Sequence, residues 1–310
     1  MRRLQLVPYN TCINFMGFRF ITFFIAGVIT LGSFVGLMTK GLNYGVDFRG
    51  GFILEVRMPE VPDLSILRDK LSGLKLGEVI LQQFGQERDL IVKVERQEGN
   101  ETAQEDAITK IKTALGEGID YRKIETVGPK VGGELVQNGL KAVVFALLAM
   151  LLYIVVRFEW QFALCAVLAL AHDCAAILGL FSIFPFEFNE TAIIAILITA
   201  GYSINDTIVI FDRIRENMHK LKKLSLSELI NVSLNETLSR TTLTATTTLL
   251  ALLALYLFGG KIISAFSLPI IIGILIGSFS SICLAAPLLF YLKLNNNSVK
   301  EEKEKPLKTL

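Results

Sequence analysis

Charge is scarce in this chain. Only 19% of its 310 residues are Asp, Glu, Lys or Arg and 52% are hydrophobic, whereas an average soluble protein carries about 25% charge. With a mean hydropathy of +0.52, the composition excludes a wholly soluble protein. The apolar residues are concentrated in blocks, which also excludes a chain that is membrane throughout. An excess of one charge sign is missing too. Thirty-one Lys+Arg against 29 Asp+Glu leave +2, which argues against a nucleic-acid partner. Cysteine and histidine number four and two, and no cysteine pair has metal-ligand spacing. No nucleophile–base pair, phosphate loop or metal cluster supports an enzyme, and no cofactor is expected.

What is present is six apolar runs. A membrane core about 30 Å thick takes roughly 20 helical residues to cross, and runs of about that length occupy residues 20–38, 140–156, 162–184, 191–211, 241–258 and 263–292. The second and fifth are short. The first is long for a signal peptide and is followed by no convincing A-x-A cleavage site, so it reads as an uncleaved helix. Residues 1–19, 212–240 and 293–310 then lie on one side of the membrane. Residues 42–137, of ordinary soluble composition, lie on the other.

Lys and Arg in short loops mark the inner side. Fifteen basic residues, among them Arg157, Arg213, Arg215, Lys220, Lys222, Lys223 and Arg240, fall on the side of the N-terminus. The opposite side has Lys261 in its short loops, and five even when the outer domain's edges are included. Both termini are therefore expected inside, and residues 42–137 outside. That segment carries 13 basic and 17 acidic residues and no Cys or His. A domain exported to an oxidising compartment without a disulfide must rely on its own core.

Within it, Phe52, Leu54 and Val56 alternate with Glu55 and Arg57 as in a strand. Asp63 can cap a helix carrying Leu64, Leu67 and Leu71 that ends near Gly73. Residues 78–84 and 89–95 are strand-like about a turn at 85–88. Thr102-x-x-Glu105 predicts a capping box opening a helix with Ala107, Ile108, Ile111 and Leu115 inward. A last strand covers 121–127. The order β-α-β-β-α-β is that of a split βαβ, ferredoxin-like unit. The expected fold class is thus an α-helical membrane protein of six transmembrane helices, with one α+β domain between helices 1 and 2.

Charges inside an apolar span are expensive and mark function by default. Asp173, beside His172, lies near the middle of the third span. Asp206 lies in the fourth, next to Asn205. Arg240 opens the fifth, followed by Thr241, Thr242, Thr244, Thr246, Thr247 and Thr248. A carboxyl near a cation, with hydroxyls able to hold water, is the inventory of a proton relay. Blander readings stand beside it: Arg240 as a snorkelling interfacial residue, Asp206 and Asp173 as structural hydrogen-bonding partners, the threonines as packing groups. Asp212, Arg213, Arg215 and Glu216 read as a solvated helix end. Gly273-x-x-x-Gly277 permits a close helix contact, Pro269 and Pro287 can kink or end the last helix, and residues 295–310 read as a disordered tail.

Several motifs together carry a resemblance. They are Gly45-Val46-Asp47-Phe48-Arg49-Gly50-Gly51 after the first helix, Val127-Gly128-Pro129-Lys130-Val131-Gly132 before the second, Ala171-His172-Asp173 in the third, the run from Ser203-Ile204-Asn205-Asp206-Thr207 to Glu216, and Ser239-Arg240-Thr241. Over residues 10–292 the chain strongly resembles the SecD/SecF family of bacterial protein-export membrane proteins, on its SecF side. The family is related to the resistance–nodulation–division transporters.

The resemblance implies a multi-pass inner-membrane subunit whose residues 42–137 are periplasmic. It implies an obligate SecD partner, association with the SecYEG channel and YajC, and preproteins as substrate. The energy source it implies is the proton gradient, with Asp206 and Arg240, and less firmly Asp173, on the proton path. Asp47, Gly50, Gly51, Gly128 and Pro129 are implied as hinge and packing elements: a flexible glycine pair and a rigid turn bracketing the outer domain. The alternative is one half of a small-molecule or lipid transporter. A third reading makes Asp206 and Arg240 a fixed ion pair in a scaffold.

Overall fold

The computed structural model describes residue 8 and residues 11–292, apart from 78, 85, 98, 100 and 185. The predicted tail at 295–310, Arg2, Arg3, Lys293 and parts of the 78–84 strand and the 85–88 turn lie outside the described residues. The soluble unit is built from a short helix α2 (Val46–Arg49), β1 (Gly51–Arg57), α3 (Leu64–Ser72), β2 (Val79–Gln83), β3 (Asp89–Glu95), α4 (Glu101–Leu115) and β4 (Asp120–Val127). Its four strands are antiparallel in the order β2-β3-β1-β4.

The period-two pattern decides which face is covered. Phe52, Leu54, Val56, Leu90, Val92 and Val94 are completely buried and meet Leu67, Leu71, Ala107 and Ile111 of the two helices. Asp63 caps α3 by accepting from Ser65 N at 2.8 Å. The capping-box expectation at Thr102 fails. The helix already begins at Glu101, so Thr102 is an internal residue.

One pair on this sheet carries a pH prediction. Asp89, at the start of β3, is only 4% exposed. Arg57 of β1 grips it at both oxygens, Nε to Oδ1 at 2.6 Å and Nη2 to Oδ2 at 2.9 Å. The hydrogen bond from Arg57 holds the Asp89 carboxyl below the usual carboxylate range. A lowered native pKa stabilises the fold above the unfolded-state value of about 3.9, and the gain is lost as pH falls through the native value. Asp89→Asn is therefore expected to lower the melting temperature at neutral pH, with the gap closing below about pH 4. Melting curves of both proteins across pH check this, and a gap independent of pH contradicts it.

Among the described residues, six helices are long and apolar enough to cross a membrane. They are α1 (Arg19–Thr39), α5 (Pro129–Arg157), α6 (Trp160–Ile183), α7 (Glu190–Lys220), α8 (Leu226–Phe258) and α9 (Gly260–Ser280), the last continued by a π-helical turn (Ser281–Ala285) and short helical turns to Leu292. Several are longer than their apolar runs. α5 begins at Pro129, eleven residues before the expected 140. The expected loop at 212–240 is instead the continuation of α7 and α8 around a turn at 221–225, where Ser225 and Glu228 form a capping box. Asp212, Arg213 and Glu216 are not simply solvated there. Asp212 pairs with Arg157 at 2.6 Å, and Arg213 pairs with Glu236 at 2.7 Å and with Glu216.

α6 and α7 form the interior of the bundle, whereas α1, α5 and α8 leave most of their surface uncovered. Small residues allow the inner helices to touch. A side chain at Gly273 would strike Thr199, and one at Gly277 would meet Ser203 at 2.9 Å, so this glycine pair seats α9 on α7. Pro269 is accommodated inside α9; the run departs from α geometry at 281–285, and again in the 3-10 turn at Leu289–Leu292. Pro287 has no N–H to return to the Cys283 carbonyl, which accepts Thr22 Oγ1 at 3.0 Å instead.

Candidate functional site

The Asp-Phe-x-Gly-Gly and Val-Gly-Pro motifs come together at the foot of the soluble unit. Gly50 has φ +82° and ψ 158°, a region essentially reserved for glycine, and Gly51 has φ +155°. Gly51 is the first residue of β1, paired with Glu95 on one side and Val127 on the other. Gly51 is thus built into the sheet, and both glycines hold backbone shapes that a side chain would resist. Gly128 caps α5 and Pro129 is its first residue. In the next turn Gly132 lets α5 approach α2 so closely that a Cβ there would lie 2.5 Å from the Phe48 carbonyl oxygen. Asp47 sits 3.8 Å from Lys93.

Deep in the bundle, Asp173 is fully buried and His172 nearly so. Asp173 Oδ1 lies 3.0 Å from His172 Nδ1. Its Oδ2 accepts hydroxyl protons from Ser203 on α7 at 2.5 Å and Ser280 on α9 at 2.8 Å. One carboxyl thus ties three helices. The next serine extends the network: Ser281 Oγ donates to the Ser203 carbonyl at 3.0 Å and lies 2.9 Å from Thr207 Oγ1. Ser281 opens the π turn, a helix irregularity found often at functional sites.

Asp206 lies one turn beyond Ser203 on α7, only 2% exposed. Unlike Asp173, it has an oxygen, Oδ2, with no hydrogen-bond partner. Arg240 on α8 lies outside ion-pair distance, though near enough to interact electrostatically with Asp206. A fixed Asp206–Arg240 salt bridge is therefore not what the structure contains. Tyr202, one turn before Asp206, lies within electrostatic reach of its carboxyl and beside the Ser278 hydroxyl, and Thr199 Oγ1, one turn before Ser203, is buried without a partner. Thr244 and Thr248 of α8 face Tyr202, each donating its own hydroxyl to a carbonyl one turn back and keeping oxygen lone pairs free. An unpaired buried polar group costs roughly 1–3 kcal/mol, and Asp206 Oδ2 is such a group.

Of the three charges singled out from the sequence, Asp173 is buried with its oxygens engaged, Asp206 is buried with one oxygen unmet, and Arg240 is exposed. Ser203, Ser280, Ser281, Tyr202 and Ser278 were missed. A signal existed for part of it. Thr199, Ser203, Asp206 and Thr207 recur at helical spacing along one face of α7. Among the described residues no three metal-ligating side chains converge.

Two family profiles match the chain. One, described as protein export membrane protein SecD/SecF, C-terminal, covers residues 107–295, and the SecD/SecF GG motif covers 35–58. Among curated proteins, the protein translocase subunit SecF of Rickettsia prowazekii (strain Madrid E) is 44% identical over 92% of this chain and 93% of its own length. That of Rickettsia bellii (strain OSU 85-389) is 44% identical over 92% and 95%. Among solved structures, SecDF of Thermus thermophilus, a translocon-associated membrane protein, superposes with a TM-score of 0.78 at 35% identity over 93% of this chain. A SecDF in a super-membrane-facing form gives 0.71 at 34% over 98%. The chain spans only 39% and 41% of those two SecDF chains.

Proposed function

The chain belongs to the SecD/SecF family of protein-export membrane proteins, as a SecF-like subunit, and from that premise we propose that Asp206 and Arg240 form a proton relay powering the export of preproteins. The observation that carries the proposal is the buried Asp206 oxygen without a partner, within electrostatic range of Arg240 but not bonded to it. A carboxyl in this state is inexpensive only when it carries its proton or when a cation or water reaches it. Small helix displacements then decide its protonation. Asp173, with every oxygen engaged, holds α6, α7 and α9 in register around the path.

The working unit in this reading is the chain with a SecD partner, supported by solved SecDF chains more than twice as long as this one, set beside the SecYEG channel and YajC. Both termini are cytoplasmic and the soluble unit is periplasmic. The chain itself catalyses no covalent chemistry and uses no cofactor. A proton crossing a potential of about 180 mV releases roughly 4 kcal/mol, scaled from 2.3 kcal/mol per 100 mV. Such a sum biases a two-state domain by about a thousandfold.

Native-membrane copurification followed by vesicle export assays tests the proposal. The chain should copurify with a SecD partner and the channel, and preprotein export should fall when the proton gradient is collapsed. Copurification only with itself, together with export insensitive to the gradient, would favour a small-molecule transporter half.

A further inference from the structure

The sheet of the soluble unit has one covered face and one open face. The open face, carrying Gln82, Ile91 and Lys93, lies over a cavity of about 420 Å³ whose floor includes Phe186, Glu187 and Ala265 of the membrane bundle. Across this cavity the two units are joined by the short connection between α6 and α7.

The joint has a backbone part, an aromatic part and a charged part. Phe188 N donates to Asn43 O at 2.7 Å and Gly45 N donates to Phe188 O at 3.0 Å, a parallel bridge between Tyr44 and Phe188. The Phe188 ring packs against Tyr44 at 5.9 Å, Phe48 at 6.0 Å and Phe181 at 5.8 Å between centroids. Lys93, 13% exposed, lies 3.6 Å from Glu187 and 3.8 Å from Asp47. One lysine of the sheet is therefore held by a carboxylate from each side of the joint.

What makes this more than docking is where the connection leads. Asn189 follows directly and caps α7, its Oδ1 accepting from Thr191 N at 3.0 Å. Asp206 lies on the same unbroken helix, about 24 Å further along at 1.5 Å per residue. Rigid elements joined by a packed and hydrogen-bonded contact are the physical means by which displacement travels between sites.

We propose that residues 186–188 and Lys93 form a transmission clasp, which stays closed while a movement of α7 is passed to the soluble unit. Lys93, Glu187 and Phe188 are positioning residues for export, and the proposal rests on the relay assigned to Asp206.

The test uses the full chain with its SecD partner and channel in vesicles, reading proton uptake and gradient-driven export separately. A loosened clasp, Lys93→Gln with Phe188→Ala, is expected to take up protons normally while export falls roughly two- to thirtyfold, the range of measured coupling changes. Lys93→Arg is expected to export normally. A closed clasp, Tyr44→Cys with Phe188→Cys in a chain with its four native cysteines replaced, is expected to export as well oxidised as the wild type does. Where the loosened variant fails to assemble, the cysteine pair decides alone. Normal export by the loosened variant overturns the clasp, as does a block on oxidation that reductant relieves. Proton uptake that ignores Asp206→Asn overturns the relay, and the clasp with it.

Discussion

Replacing Asp206 by asparagine is expected to abolish gradient-driven export while leaving the chain folded and assembled. The side chains match in shape, and no hydrogen bond to Oδ2 is lost because none is made. What disappears is the capacity to take up and release a proton. Since the gradient supplies roughly 4 kcal/mol per proton, its removal forfeits about a thousandfold of bias on the coupled states. Export in vesicles with and without the gradient measures this directly. Unchanged melting and unchanged copurification with the SecD partner would show that the loss is one of function. Export that still responds fully to the gradient would contradict the relay.

Gly51→Ala is expected to unfold the soluble unit or bring it close to unfolding. Its φ of +155° is rarely adopted by a residue with a side chain, and a Cβ there would strike the Val94 carbonyl and lie 2.8 Å from Val46 Cγ1. The first obstacle is backbone of the neighbouring strand and cannot swing aside. Strain of about 1–3 kcal/mol and overpacking of about 1–3 kcal/mol act together on a domain with no disulfide. Gly50→Ala, at φ +82° and ψ 158°, should cost at least the backbone strain of about 1–3 kcal/mol. Thermal melting and limited proteolysis of the purified full chain rank the two. Equal stability of Gly51→Ala and the wild type would contradict the close approach of Val94 and Val46 to this glycine.

The soluble fold was legible because its signals are periodic. Alternation placed Phe52, Leu54 and Val56 on the covered face of β1, and Leu67 and Leu71 fell on the inner side of α3. Thr102 misled because a Thr-x-x-Glu spacing occurs inside helices as readily as at their starts. The six spans were visible as apolar runs, but their ends were not. Hydropathy reports where a helix meets lipid, whereas α5 and α8 continue as polar turns outside that layer.

The site divides in the same way. Asp173, Asp206 and Arg240 stand out in apolar surroundings by their cost alone. Ser203, Ser280 and Ser281 do not, because a serine in a helix is commonplace until packing turns it toward a carboxyl, as with Ser203 and Ser280, or toward a neighbouring helix, as with Ser281. Nor could spacing distinguish the satisfied Asp173 from the unmet Asp206. That difference depends on which hydroxyls the packing of α7 and α9, seated by Gly273 and Gly277, brings within reach. Gly50 and Gly51 read as a flexible pair from their identity, but that Gly51 is the first paired residue of β1 was not visible in the sequence.

Proton uptake by the complex of this chain with its SecD partner, reconstituted in vesicles under an imposed gradient, tests the central claim most directly. The relay predicts uptake by the wild type and none by Asp206→Asn. Equal uptake by both would place the proton path elsewhere.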